Sequence, residues 1–298
     1  MKCSFALASL VLAVGAAASP VITRADKITD TTVLNFALTL EHLENAFYSG
    51  ALAKYSESDF TAAGLPKYAR GRFEEVAAHE AAHVAFLTKA LGKDATAACT
   101  YDFPYTSPAS FAALSQTLEG VGVSAYAGAA QYISSKAYLT AAATVLSTEA
   151  RHASWVASAV NKVAGWSGPF DVALGLDSVY SLAAQFITSC PSSNPALPVK
   201  AFPKLAFPAT AAPGSKVTLT FDVPKGTKAA DLYAAFYTGT GTEYAPISSS
   251  KQVTIPSDLR GTVYAVVTTS KNASADANTV AGVAVLEFEF DSNGKLIA

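Results

Sequence analysis

The chain has 298 residues, a formal net charge of −2, 15% charged and 51% hydrophobic residues. This composition excludes a disordered chain, and the near-neutral charge gives no footing for nucleic acid or an anionic membrane surface. The length accommodates two cores more comfortably than one.

At the N-terminus Lys2 precedes an apolar run from Phe5 to Gly15, and Ala16-Ala17-Ala18 has the small-x-small pattern of a cleavage site. Residues 1–18 therefore read as a secretory signal, and the mature chain as extracellular. No later segment reaches the ~20 apolar residues of a membrane span. Cys3 leaves with the signal. Cys99 and Cys190 remain, and an even count in an oxidising compartment predicts one disulfide between them, the alternative being two buried thiols.

Four helices are expected next. Their apolar stripes follow 3/4 spacing: Leu34, Ala37, Glu41, Glu44, Tyr48, Leu52; then Phe73, Val76, Glu80, His83, Leu87, Leu91; then Ala112, Ser115, Glu119, Gly122, Tyr126, Ala129, Ile133; then Ala142, Val145, Glu149, His152, Val156, Ala159, Val163. A fifth helix is expected near 177–188. Each of the four stripes carries a carboxylate in the middle of an apolar face. An unpaired buried charge costs several kcal/mol, and no basic residue lies on these stripes. Two divalent cations would balance four carboxylates. Residues i and i+3 share a helix face, so Glu80-x-x-His83 and Glu149-x-x-His152 each offer an oxygen and an imidazole to one centre. With Glu41 and Glu119 they form the ligand set of two-metal carboxylate bundles. Mixed O/N ligation suits Fe or Mn better than structural zinc. Gly120, Gly122 and Gly128 either open space near the site or let helices pack closely.

The halves of the bundle repeat. Tyr48 follows Glu41, and Tyr126 follows Glu119, at the same spacing. The two tyrosines are expected to hydrogen-bond carboxylates across the site, the alternative being ordinary core aromatics. Glu44 is expected near the ligands, as a neighbouring acid or an alternative ligand. His79 is expected to flank them, and His42 and Glu75 to face outward.

A competing reading takes His79-Glu80-Ala81-Ala82-His83 as H-E-x-x-H, a zinc peptidase with Glu80 as general base. It leaves Glu41, Glu149 and His152 buried without a role, and the stripe pairs Glu80 with His83 instead.

After residue 190 the segment CPSSNPALPVKAFPKLAFP is too proline-rich for a helix and reads as an extended linker. Beyond it KVTLTFDV, LYAAFYT, KQVTI, TVYAVVTT and VAVLEFEF read as strands between turn segments. They predict an antiparallel β-sandwich, with the immunoglobulin type as its candidate form. Its acids Glu287 and Glu289 alternate with Phe288 and Phe290, and its expected role is packing, adhesion to a cell-wall partner or homo-oligomerisation. Asn272-Ala273-Ser274 is a candidate glycosylation site. The expected organisation is signal 1–18, helical bundle 19–195 and β domain 196–298.

LTLEHLENAFY, HEAAHVAFL, LEGVGVSAYAGAA and STEARHASW, with the later SCPSSNPALP, resemble the secreted ferritin-like domain proteins of fungi. That group includes stress-response and late-sexual-development proteins, with plant desiccation-related proteins as kin. The resemblance covers about residues 30 to 195. It implies a ferritin-like bundle and carries the ligand roles onto Glu41, Glu80, His83, Glu119, Glu149 and His152. The expected function is dimetal redox chemistry on superoxide, peroxide or dioxygen, the alternative being a non-catalytic matrix or stress-protective metalloprotein.

Overall fold

The computed structural model describes residues 28–271 and 276–297. The expected signal segment and the Asn272 site lie outside them.

Helix α1 (Asp30–Lys54) starts at Thr29, whose hydroxyl accepts from Thr32 N at 3.2 Å. It is buried on nearly every side, by Val33, Phe36, Leu40, Leu43 and Phe47 among others, and is the central helix. A short α2 (Glu57–Ala62), closed by a Ser56/Asp59 capping box, leads into α3 (Ala69–Leu91), which pairs with α1. Helix α4 (Pro108–Ala129) has a Ser107/Ser110 capping box and Pro108 in its first turn. It pairs with α5 (Lys136–Trp155), capped by Ser135. Asp30 accepts from Ser134 N and Ser135 N at 2.7 and 2.9 Å, tying the start of α5 to that of α1.

The fourth stripe departs from expectation beyond His152. The α-helix ends at Trp155 and the chain continues as a π turn, Val156–Asn161, closed by Lys162 at φ 64°. The wider turn rotates the buried face, so Val156, Ala157 and Val160 are buried, whereas Ala159 and Val163 are only half-buried. The fifth helix, α6 (Leu176–Ala183), is shorter than expected. The β-branched Ile187 and Thr188 open strand β2 (Ile187–Ser189), antiparallel to β1 (Thr100–Tyr101). Beside this ribbon Cys99 and Cys190 are disulfide-bonded. Asn194 reinforces it, accepting from Ala97 N at 2.9 Å and donating to Ala97 O at 2.8 Å.

The proline-rich segment is extended but held down. Lys200 N donates to Asp177 and Phe202 N to Ser181 Oγ on α6, and Phe202 enters the bundle core. Two antiparallel sheets follow. One joins β3 (Lys216–Thr218) to β6 (Gln252–Thr254). The other has the order β5-β4-β7-β8, from β4 (Tyr233–Thr238), β5 (Gly241–Pro246), β7 (Gly261–Thr268) and β8 (Thr279–Phe288). Alternation divides the larger sheet's side chains between two cores. Ala234, Phe236, Val263, Ala265 and Val267 pack with Val217 and Val253 of the smaller sheet and with Leu219 just beyond β3. Ala235, Tyr237, Tyr264, Val266 and Val283 pack into the helical core. The layers are therefore small sheet, large sheet and helices, and the large sheet is covered on both faces.

Candidate metal centre

Halfway along the bundle the four long helices each turn a glutamate inward. Glu41, Glu80, Glu119 and Glu149 are fully buried. His83 and His152 stand one turn beyond Glu80 and Glu149, so each imidazole lies on its glutamate's face. Ligand atoms of Glu41, Glu80, His83 and Glu149 all fall within 4.8 Å of one another, as do those of Glu80, Glu119, Glu149 and His152. Two adjacent ions would be held by these two groups, which have Glu80 and Glu149 in common and differ by one further glutamate and one histidine each.

Both histidines turn Nδ1 inward. His83 Nδ1 is 3.1 Å from Glu149 and 3.2 Å from each of Glu41 and Glu80. His152 Nδ1 is 3.2 Å from Glu80, 3.3 Å from Glu119 and 3.7 Å from Glu149. Among the described residues, no lysine or arginine shares these ion pairs. Three oxygens, Glu80 Oε1 and both of Glu149, are buried without a well-directed hydrogen bond, although the imidazole nitrogens approach them at 3.1 to 3.7 Å. Such orphans are rare in folded proteins because each costs its full desolvation penalty. Here they belong to the two shared carboxylates, where metal ions would supply the missing partners. Oxygen-rich donors with one imidazole per centre fit Fe or Mn.

Without a cation the cluster compensates through protons. Burial pushes Glu41 up, to about 8, against the hydrogen bond from His83 and with repulsion from Glu149 and Glu80. Burial, then repulsion by Glu149, also holds Glu44 and Glu119 well above the usual carboxylate range. Burial likewise disfavours the charged forms of His83 and His152, but the surrounding carboxylates outweigh it and hold both imidazoles at about 12. Glu149 goes the other way: the close imidazoles of His152 and His83 overcome its burial and bring it to about 2.

The tyrosines cross the site. Tyr126 on α4 donates to Glu41 Oε1 on α1 at 2.5 Å, and Tyr48 on α1 donates to Glu119 Oε1 on α4. Each terminal carboxylate thus spends one oxygen on a tyrosine and turns the other toward a histidine. The Tyr48 hydroxyl also lies 2.7 Å from Ser115 Oγ. Ser115 was given no role by sequence reasoning, although its place one turn before Glu119 on the same stripe was a signal. Glu44 is buried beside the cluster. A Cβ on Gly122 would lie 3.1 Å from Glu44 Oε1 and 3.6 Å from Glu149 Oε2. Glu44 and Gly122 follow Glu41 and Glu119 by the same interval, so the acid of one half occupies space that glycine leaves in the other. Of the three α4 glycines only Gly122 borders the cluster; Gly128 packs against the Leu174 backbone, and Gly120 faces Tyr264.

His79 does not converge on the carboxylates. It is exposed, its Nδ1 lies 2.9 Å from His152 Nε2, and the two rings stack with centroids 5.2 Å apart. His42 is half-buried, with Nε2 3.1 Å from Thr96 O, and Glu75 pairs with Arg72 at the surface. A narrow apolar crevice of about 30 Å³, bordered by Leu40, Phe86, Ala125, Tyr126 and Val145, runs up to the tyrosine that holds Glu41. No single stripe reveals it, because it is formed between helices.

A four-helix bundle with a buried pair of E-x-x-H turns and two further glutamates is a ferritin-like bundle with a candidate dinuclear metal centre, here followed by an antiparallel β-sheet domain. The sequence pattern of the ferritin-like domain matches residues 29–162. The chain is also similar to the protein rds1 of Schizosaccharomyces pombe, 28% identical over 182 residues, which cover 59% of this chain and 44% of that protein. It thus spans less than half of that relative's length.

Proposed function

We propose that this is a secreted, stress-associated fungal protein that carries two Fe or Mn ions and performs redox chemistry on a small oxygen species, superoxide, peroxide or dioxygen. The observation that supports this most directly is the set of orphaned oxygens on Glu80 and Glu149. Two bound Fe or Mn ions would supply one-electron redox steps and open coordination positions for such a species. Glu80 and Glu149, common to both groups, would hold them together with Glu41, His83, Glu119 and His152.

The surrounding residues fix these donors. Tyr48 and Tyr126 hold Glu119 and Glu41 so that one oxygen of each faces inward. With Nδ1 of His152 committed inward, its Nε2–H donates to His79, which sets tautomer and ring plane. The aromatic shell of Phe47, Phe73, Phe111 and Trp155 excludes water from the flanking core. The disulfide accords with an oxidising compartment.

Metal analysis of protein purified from its secreting host tests the reading. Near two Fe or Mn per chain are expected, lost in Glu80→Ala and Glu149→Ala and kept in His79→Ala. One zinc per chain, lost in His79→Ala, would overturn it in favour of a peptidase. Consumption of superoxide or peroxide by the loaded protein separates an enzyme from a metalloprotein whose ions serve only stability.

A further inference from the structure

Residues 162–175 run from the π turn to α6 along the seam between helices and sheet. This loop is pinned by its backbone. A Cβ on Gly239 would fall 1.7 Å from Phe170 O, and one on Gly261 would fall 2.6 Å from Ser167 Cα. Only glycine permits such approaches. Thr262 N adds a 2.9 Å hydrogen bond to Ser167 Oγ. Yet this anchored segment leaves Trp166 69% and Phe170 64% exposed, the two most exposed large apolar side chains among the described residues. Burying such a side chain stabilises a fold, and this fold forgoes that stabilisation twice within five residues.

Both aromatics border a cavity of about 210 Å³ between α4, α5 and β7, and seams between layers are favoured ligand positions. Its wall mixes the apolar Val123 and Ala157 with the polar Ser124, Ser167, Asp171 and Thr262. No lysine, arginine or histidine lines it, so nothing there would hold an anion. Aromatic faces at the rim, with hydroxyls and one carboxylate below, suit a neutral ring that is apolar on its faces and hydroxylated at its edge. The C–H face of a pyranose packs against the negative face of an aromatic ring, and its hydroxyls pair with hydroxyl and carboxylate acceptors.

The geometry points to a saccharide-binding site at this seam, in which Trp166 and Phe170 stack on the sugar rings of a neutral glycan and Ser167 and Asp171 hydrogen-bond its hydroxyls. None of these residues belongs to the candidate metal centre, so the inference stands apart from the redox reading.

Calorimetry on the full mature chain tests it. The probes are hexasaccharides of β-1,3-linked glucose, β-1,4-linked glucose and β-1,4-linked N-acetylglucosamine, with choline and phosphatidylcholine vesicles beside them. Saturable binding of at least one hexasaccharide is expected, weakened about tenfold or more by Trp166→Ala and by Phe170→Ala. Metal content and helical circular dichroism should be unchanged in both variants, because the replaced side chains are exposed. Trp155, the other tryptophan, is half-buried against Phe73. A shift in tryptophan emission on saccharide binding, absent in Trp166→Phe, is therefore a second expected readout. Absence of hexasaccharide binding at about 1 mM, or binding indifferent to both alanine variants, overturns the assignment. So does binding of choline or vesicles in place of the saccharides.

Discussion

Glu80 and Glu149 differ from Glu41 and Glu119 in what their oxygens lack: the terminal pair have tyrosine donors, the shared pair keep orphans. The metal-free protein must therefore hold protons that metal would replace. Glu41 stays protonated when folded up to about 8, against an ordinary 4.5. His83 and His152 stay protonated up to about 12, against 6.5. In each case the folded state keeps a proton that the unfolded chain releases, so stability falls as pH rises between the two values. Glu149, at about 2 against 4.5, acts oppositely and loses its contribution as pH falls through that window. Chelator-stripped protein should thus melt highest near pH 4.5 and lose stability steadily toward pH 9. Thermal melts across that range check this, and a melting temperature that rises from pH 6.5 to 9 would contradict it. Metal must displace these protons, so its affinity should rise over the same range. Tyr126→Phe should cost about 1–3 kcal/mol, since Glu41 Oε1 loses its donor, and weaken metal binding about 10- to 100-fold; chemical denaturation and metal titration measure the two effects. The glutamates and histidines were legible because helical spacing alone decides which side chains share a face. The contact between His79 and His152 was not, because it depends on the lateral placement of α3 against α5.

At the scale of elements, the long helices announce themselves by period, and the departures occur where partners far along the chain intervene. Helix α6 has no capping side chain of its own, since Gly175 precedes it. The buried Asp276 of the sheet domain supplies the cap, accepting from Asp177 N at 3.0 Å and Ser178 Oγ at 2.7 Å. A Cβ at Gly175 would come within 2.3 Å of that carboxylate. No local signal could predict a cap from about a hundred residues away, and the C-terminal end of the expected helix was lost to strand pairing with Thr100 and Tyr101. Asp276→Ala should destabilise the protein by about 1–2 kcal/mol, as loss of an N-cap does, read as a lower denaturation midpoint with metal content retained. The contrast between Gly122 and Gly120 tests the packing of α4. Gly122→Ala pushes on Glu44 and Glu149 and should lower metal occupancy. Gly120→Ala, whose Cβ would lie 3.8 Å from the Tyr264 hydroxyl, should leave it unchanged.

For the whole molecule, the prolines between residues 191 and 208 correctly marked an extended connection, but an extended connection does not make the flanking parts independent. The run TVYAVVTT in β7 is nearly continuous in apolar residues, the pattern of a strand covered on both faces. The expected sandwich did not use that signal, which suits a sheet packed between two layers. Tyr264 shows how closely the halves meet: it donates to Gly120 O at 3.0 Å and accepts from Ser124 Oγ at 3.1 Å, both on α4 one residue or a little more than a turn from Glu119. Phe202 of the connecting segment completes the same core. The disulfide spans 91 residues, and its loss should cost about 2–5 kcal/mol, measured by denaturation of the Cys99→Ala/Cys190→Ala double variant. Because the helical core includes Ala235, Tyr237, Tyr264, Val266 and Val283, neither part can unfold without exposing apolar surface of the other. Full-length protein should therefore unfold in a single transition, with helical circular dichroism and near-ultraviolet tyrosine signals coincident. Tyr264→Ala, which opens this interface, should lower the midpoint of both signals together. Two separated transitions in the unmodified chain would show that the sheet and the bundle are thermodynamically independent, and would assign the shared core a docking role instead of a folding one.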